Sequence, residues 1–115
     1  MELTLDEHRA GNVVVVRFAG RMVLGQETTA ATERLRALAC HKTIIVLDLD
    51  GLHHLDPSGI GALLSLYAWA ARHGARLFFV RPSSKITRLL ETTKLTSLFP
   101  IYDSAEAAIA ASAAS

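Results

Sequence analysis

Ile44-Ile45-Val46-Leu47-Asp48-Leu49-Asp50-Gly51-Leu52-His53-His54-Leu55-Asp56-Pro57-Ser58-Gly59-Ile60-Gly61 is the stretch on which the fold turns. Its first part, Thr43 to Leu49, is an apolar run too continuous for a half-exposed strand, which predicts a central strand covered on both faces. A polar loop is expected next, and then the longest helix of the chain, Ser58 to His73, stopped by Gly74. Asp56 reads as the helix cap, and Pro57 as the first helical residue with its φ already set. Ser58 therefore falls in the first turn, beside unpaired backbone N–H groups and the positive end of the helix dipole. Such a place accepts added negative charge, so Ser58 is a candidate phosphate acceptor. From pattern alone, a simple cap and a modified serine both stay open.

Toward the N-terminus, Leu3-Thr4-Leu5 alternates, Arg9-Ala10-Gly11-Asn12 supplies turn chemistry, and Val13-Val14-Val15-Val16-Arg17-Phe18 is β-branched, so an antiparallel hairpin ending at Gly20 is expected. Ala31, Leu35, Leu38 and Ala39 then fall at helical spacing within Gln26 to Cys40. On the C-terminal side, Arg76 to Val80 is a strand, and Pro82-Ser83-Ser84 opens a helix carrying Ile86, Leu89 and Leu90 on one side. Leu98 to Tyr102 reads as a short edge strand interrupted by Pro100, which cannot donate to a ladder. Asp103-Ser104-Ala105-Glu106 is a capping arrangement for a last helix, with Asp103 at the cap, that runs into the Ala-rich tail Ala107 to Ser115. The order β-β-α-β-α-β-α-β-α implies an α/β fold: one domain with a small mixed β-sheet of about four to five strands and about four helices.

Within the long helix, Ile60, Leu63, Leu64, Tyr67, Ala68 and Ala71 make a broad stripe expected to face the sheet. Ala62, Leu66 and Trp69 lie roughly opposite at the same spacing. A helix covered on both sides is hard to arrange in so small a domain, so two readings stay open for these three: packing under a loop or against a neighbouring helix, and a partner-binding surface. Gly59 and Gly61 weaken the helix near its start, a cost that makes sense where another backbone approaches closely.

With 115 residues, half of them apolar, residues 1–115 form one domain able to bury a core without disulfides or metal. Twelve Lys and Arg nearly balance eleven Asp and Glu, so net charge singles out neither nucleic acid nor an anionic membrane as partner. Cys40 is the only cysteine, which excludes an internal disulfide; packing is its expected role. The N-terminal residues have neither a basic leader nor an apolar export segment, and no run approaches membrane-spanning length, so the expected location is cytoplasmic.

His53, His54, Asp50 and Asp56 cluster before the helix, but their spacing matches no dedicated metal-ligand pattern, and no metal or cofactor is assigned. Asp48 and Asp50 point to one side of their strand, as a carboxylate pair for acid and base work does, yet a paired or capping role for Asp48 is the expectation. Pro57-Ser58-Gly59 is not the strained elbow of a serine hydrolase, and no histidine can be assigned as a base, so an enzyme is not expected. Lys85, Arg88 and Lys94, with Glu91 beside them, read as a solvated helix face.

Ile44 to Leu52 and Leu55 to Leu64 together closely resemble the signature of STAS domains, specifically bacterial anti-sigma factor antagonists. The resemblance extends through Phe18-Ala19-Gly20-Arg21-Met22, Gly74-Ala75-Arg76-Leu77 and Ile86 to Leu95, nearly the whole chain. It implies a cytoplasmic binding protein in which the serine before the glycine, here Ser58, is phosphorylated by a partner that is both serine kinase and anti-sigma factor. The unphosphorylated form binds that partner and frees a sigma factor; the phosphorylated form is released. The partner surface is then expected on Asp56, Pro57, Ser58, Gly59, Ile60, Gly61 and Ala62, continuing to Leu66 and Trp69, with a homodimer left open. Two positions depart from many relatives. Pro57 stands where they carry Ser or Thr, and Gly20-Arg21-Met22-Val23-Leu24-Gly25 lacks the acidic residue they often place after that first glycine. The competing expectation is a STAS module without phosphorylation, serving an ABC lipid transporter or a larger signalling assembly.

Overall fold

The structure, a computed structural model, describes residues 3–113. Five strands and four helices follow the expected order: β1 (Leu3–Ala10), β2 (Val13–Met22), α1 (Gln26–Leu38), β3 (Ile44–Leu55), α2 (Pro57–Arg72), β4 (Arg76–Val80), α3 (Ser84–Thr92), β5 (Ile101–Tyr102) and α4 (Ala105–Ala113). The strands form one sheet in the spatial order β1-β2-β3-β4-β5, with β1 antiparallel to β2 and every other pair parallel. A single 3₁₀ turn, Leu95–Ser97, links α3 to the short edge strand. The last two residues of the Ala-rich tail lie outside the described residues. Among the described residues no helix is long and apolar enough to cross a membrane.

The sheet is covered unequally. Helices α1, α2 and α3 seat Leu35, Leu63, Leu66, Ala70, Ile86 and Leu90 on the face lined by Val14, Val16, Phe18, Ile45, Leu47 and Phe79. The other face has a smaller apolar cluster, Val46, Phe78 and Val80, under Ala108 of α4. Strand β3 is buried without interruption from Ile45 to Leu49, as a strand covered on both sides must be. Strand β2 alternates instead, its outward residues Arg17, Ala19 and Arg21 being exposed.

Several expectations need correction. Strand β3 does not give way to a loop after Leu49; it continues to Leu55, pairing Leu52 with Gly20, His54 with Arg21 and Leu55 with Met22. The register shifts there, and Gly20 takes φ 107° inside β2, so it bends the strand at a bulge and does not end it. The cap of α4 is Ser104, whose Oγ accepts from the Ala107 N–H at 3.0 Å, and not Asp103. Cys40 is exposed, just beyond α1, and does not pack in the core.

The wheel of α2 is rotated from the expected one. Gly59, Leu63, Leu66 and Ala70 face the sheet, while Ala68 and Ala71 are exposed. Leu66, expected on the outer face, is only 3% exposed and belongs to the core. Neighbouring α1 explains the rotation, since α2 must satisfy a helix on its flank as well as the sheet below. Leu66→Ala should therefore cost about 2–5 kcal/mol in urea unfolding, the range for truncating a buried leucine; a change within about 0.5 kcal/mol would return Leu66 to the surface.

Candidate functional site

The start of α2 is built by Asp56. Its backbone is extended (φ −99°, ψ 177°), Pro57 follows as the first helical residue, and Asp56 Oδ1 accepts from the Gly59 N–H at 2.8 Å. The other oxygen, Oδ2, accepts from the Leu24 N–H at 3.1 Å. One carboxylate thus caps the helix and holds the loop between β2 and α1 beside it. The Gly59 N–H lowers the Asp56 pKa most; partial burial opposes it, and the N–H groups of Leu24 and Ser58 and the nearby His54 add to the lowering.

Gly59 is buried because the chain leaves no space there. A Cβ at Gly59 would run into the Met22 carbonyl oxygen and lie 2.6 Å from Leu55 Cδ1. The expected close backbone approach is real, and the approaching backbone is the end of β2. Gly61 differs: it is exposed, and a Cβ there would meet nothing within 4 Å. Nothing within the described chain requires a glycine at Gly61.

These constraints fix a small exposed surface. Pro57 and Ser58 are exposed, and the Ser58 hydroxyl makes no hydrogen bond among the described residues. Across an open cleft of about 400 Å³ from Ser58 and Ala62 lie Leu24, Thr28, Thr32 and Arg36. Leu24 is 81% exposed, the most exposed large apolar side chain among the described residues. The sequence reading missed it as a site residue; the available signal was a leucine in a loop beside a glycine, where a polar residue is the norm.

Trp69 sits further along the same side of α2 and is only half-buried, but it is not bare. The His73 ring stacks on it with centroids 4.2 Å apart, and the Arg36 and Arg72 guanidinium carbons lie 5.1 and 5.7 Å from its ring centroid. Arg36 is held in turn by the Ser65 hydroxyl, to which Nη2 donates at 3.0 Å. The Trp69 Nε1 and Arg36 Nε atoms are buried without an acceptor. Of the expected partner residues, Asp56, Pro57, Ser58, Gly61 and Ala62 come together at the surface. Ile60 is half-buried against the core, Gly59 and Leu66 face inward, and Trp69 stands apart under its basic cover.

The other candidate groups lie elsewhere. Asp48 is 4% exposed on the α4 side of the sheet; Arg81 Nη2 donates to its Oδ2 at 2.8 Å, Arg17 Nε is 3.6 Å away, and the Asp50 N–H donates to Oδ1. Burial raises the Asp48 pKa, and the Arg81 hydrogen bond, the Asp50 N–H and the two guanidinium charges outweigh it, so the carboxyl stays below its usual range. A carboxylate so engaged is an ion-pair partner and not a proton-transfer group. His53 is exposed and His54 half-buried at consecutive strand positions, and no group of three potential metal ligands occurs among the described residues.

A profile of the STAS domain matches residues 5–108, which include the whole of this site. The chain belongs to the STAS domain family. It is 26% identical over 106 residues to the anti-sigma F factor antagonist of Paenibacillus polymyxa, covering 90% of this chain and 87% of that protein. This STAS domain also shares its fold with an anti-sigma factor antagonist of Mycobacterium paratuberculosis (TM-score 0.79, 21% identity, covering 96% and 93% of the two chains). Bacillus SpoIIAA in its phosphorylated form is similar as well (TM-score 0.60, 19% identity, 92% and 96% covered).

Two outcomes follow from the geometry. Gly59→Ala should destabilise by about 1–3 kcal/mol, because the obstructing Met22 oxygen is backbone, whereas Gly61→Ala should stabilise by about 0.5–1 kcal/mol through helix propensity; urea unfolding of both variants compares them directly. The second concerns pH. The Asp56 pKa is lower folded than unfolded, so its contribution to stability is present above the unfolded value and is lost as pH falls through the folded one. Asp56→Asn keeps a capping side chain but cannot titrate, so its thermal midpoint should fall less steeply than the wild type's below about pH 4. Parallel curves for the two proteins would remove the carboxylate from the acid response.

Proposed function

We propose that this chain is an anti-sigma factor antagonist, a binding protein that engages an anti-sigma factor through the Ser58 surface and is switched off by phosphorylation of Ser58. The partner in this reading is both anti-sigma factor and serine kinase, and its capture frees a sigma factor. The observation that carries the proposal is the pairing of an exposed, unbonded Ser58 hydroxyl with the protruding Leu24 across one cleft. An apolar anchor beside a modifiable hydroxyl is what a binding surface under covalent control requires. The names of the Paenibacillus and Mycobacterium relatives, and the phosphorylated form of the Bacillus relative, support the same reading.

The physical account of the switch is short. A phosphate on Ser58 adds roughly −1.5 to −2 charge at neutral pH. In the free domain that charge sits in water near the positive end of α2, where it is tolerated. In a closed interface the same charge is desolvated and unpaired, which weakens the complex without unfolding either protein. Docking is assigned to Leu24, Asp56, Pro57, Ser58, Gly61 and Ala62, with Trp69 at the far edge and Leu66 excluded by its burial. Pro57 fixes the approach to the serine and withholds one N–H from whatever binds there.

Incubation with the cognate kinase and ATP, followed by intact mass and peptide mapping, should add one phosphate at Ser58 and none in Ser58→Ala. Ser58→Asp and Leu24→Ala should each weaken the anti-sigma complex by about tenfold or more, as loss of an interface anchor does, with thermal midpoints nearly unchanged. No modification, together with affinity indifferent to both substitutions, would favour a STAS subunit of a transporter or larger assembly that works without the switch.

A further inference from the structure

A second concave surface lies on the outer side of α3. Lys85, Arg88, Leu89 and Thr92 recur at intervals of three and four residues, so they share one side of that helix. They face His54 and Leu55 at the end of β3 across a groove of about 360 Å³. The floor is apolar, with Leu55 and Ile86 rooted in the core and Leu89 half-buried above them. The rim is basic. Lys85 and Arg88 are exposed, and neither forms an ion pair among the described residues. Arg21, also exposed, is the cross-strand neighbour of His54.

No carboxylate lines this groove. Two acids adjoin it in sequence: Glu91 of α3 is exposed and forms no ion pair with Lys85 or Arg88 among the described residues, and Asp56 already gives its two oxygens to Gly59 and Leu24. A merely solvated basic face explains the two cations but not the apolar floor between them. Leu55 is three residues before Ser58, so the groove opens at the end of the sheet where α2 begins.

We propose that the groove receives an acidic amphipathic segment of the protein that docks at Ser58. An apolar side chain of that segment rests on Leu55 and Leu89, and its carboxylates meet Lys85 and Arg88. Charge complementarity selects the occupant: a basic segment is repelled by the rim, and a neutral one leaves both cations without a counter-charge. The identity of the protein supplying the segment rests on the function proposed for Ser58; the chemistry of the groove does not.

The test uses the full chain, isotope-labelled for NMR, and two synthetic helical peptides with the same leucine spacing, one with Glu and one with Lys between the leucines. The acidic peptide should bind about tenfold more tightly, the expectation for two exposed charge pairs made or reversed, and should shift the amides of Leu55, Lys85 and Leu89. The double variant Lys85→Glu, Arg88→Glu should reverse the preference, and Lys85→Gln with Arg88→Gln should abolish it; both should fold, because the two side chains are exposed. Ser58→Asp should leave acidic-peptide affinity within about twofold, a fraction of one kcal/mol. Equal response to both peptides, no binding of either, or shifts centred away from α3 overturns the groove. Retained acidic selectivity in a protein whose Ser58 the kinase ignores overturns only the identity of the partner.

Discussion

The carboxylate of Asp56 ties together the three elements that meet at the candidate site. It receives the Gly59 N–H on one oxygen and the Leu24 N–H on the other, and its own residue directly follows β3. Without the first bond, the opening turn of α2 loses a partner for its unpaired donors. Without the second, the loop carrying Leu24 is no longer pinned beside Ser58. The tight approach of the Met22 carbonyl to Gly59 depends on the same arrangement, because it brings the end of β2 against the first turn of α2. Position and chemistry of the exposed serine therefore follow from a single capping residue and the glycine that lets a strand end pack under it.

This arrangement separates what changes from what holds the fold. Ser58 and Leu24 point away from the core, whereas Leu63, Leu66 and Ala70 of the same helix are seated on the sheet. The one buried charge among the described residues, Asp48, lies on the opposite face and is neutralised locally by Arg81 and Arg17. Burying an ion pair costs desolvation, and here the cost is offset by several bonds to one carboxylate. A charge added at Ser58 has neither an apolar neighbour in the core nor this ion-pair cluster to disturb. The modification proposed at Ser58 would therefore act on association and leave folding nearly as it was.

The order of elements was legible because each signal was local: β-branched runs for strands, helical spacing for α1 and α3, and Asp56-Pro57 for the start of α2. Apart from the α4 cap, a choice between adjacent residues, and the exposed Cys40, the misreadings share a different origin, in that each depended on a neighbour distant in sequence. The extension of β3 through Asp50-Gly51-Leu52-His53-His54 is carried by pairing to the second half of β2, and its polar residues hid it. Leu66 turns inward because α1 flanks α2, a contact a helical wheel does not contain. Trp69 is covered by Arg36, which comes from another helix. Leu24 was passed over because a loop residue has no periodicity, and its place beside Ser58 comes only from the hydrogen bond of its N–H to Asp56. The position of Ser58 in the first turn of α2 was legible locally, since Asp56, Pro57, Ser58 and Gly59 are consecutive.

In the proposed switch, the electrostatics of the surface act beyond direct contact. The chain carries a formal net charge of +1, and a phosphate on Ser58 takes it to about −1 at neutral pH. If the partner presents acidic groups to Lys85 and Arg88, that change opposes association in two ways. Locally, a dianion must lose its hydration to enter the cleft beside Leu24. At longer range, the added charge weakens the pull of the basic rim on an approaching acidic surface, within a screening distance of about 8 Å at physiological salt. The first effect raises the dissociation rate and the second lowers the association rate, because steering acts before contact and desolvation acts at it. A partner of the opposite sign would set the two effects against each other, so the basic rim near α3 and the phosphate control proposed for Ser58 make physical sense together only when the protein they meet is acidic.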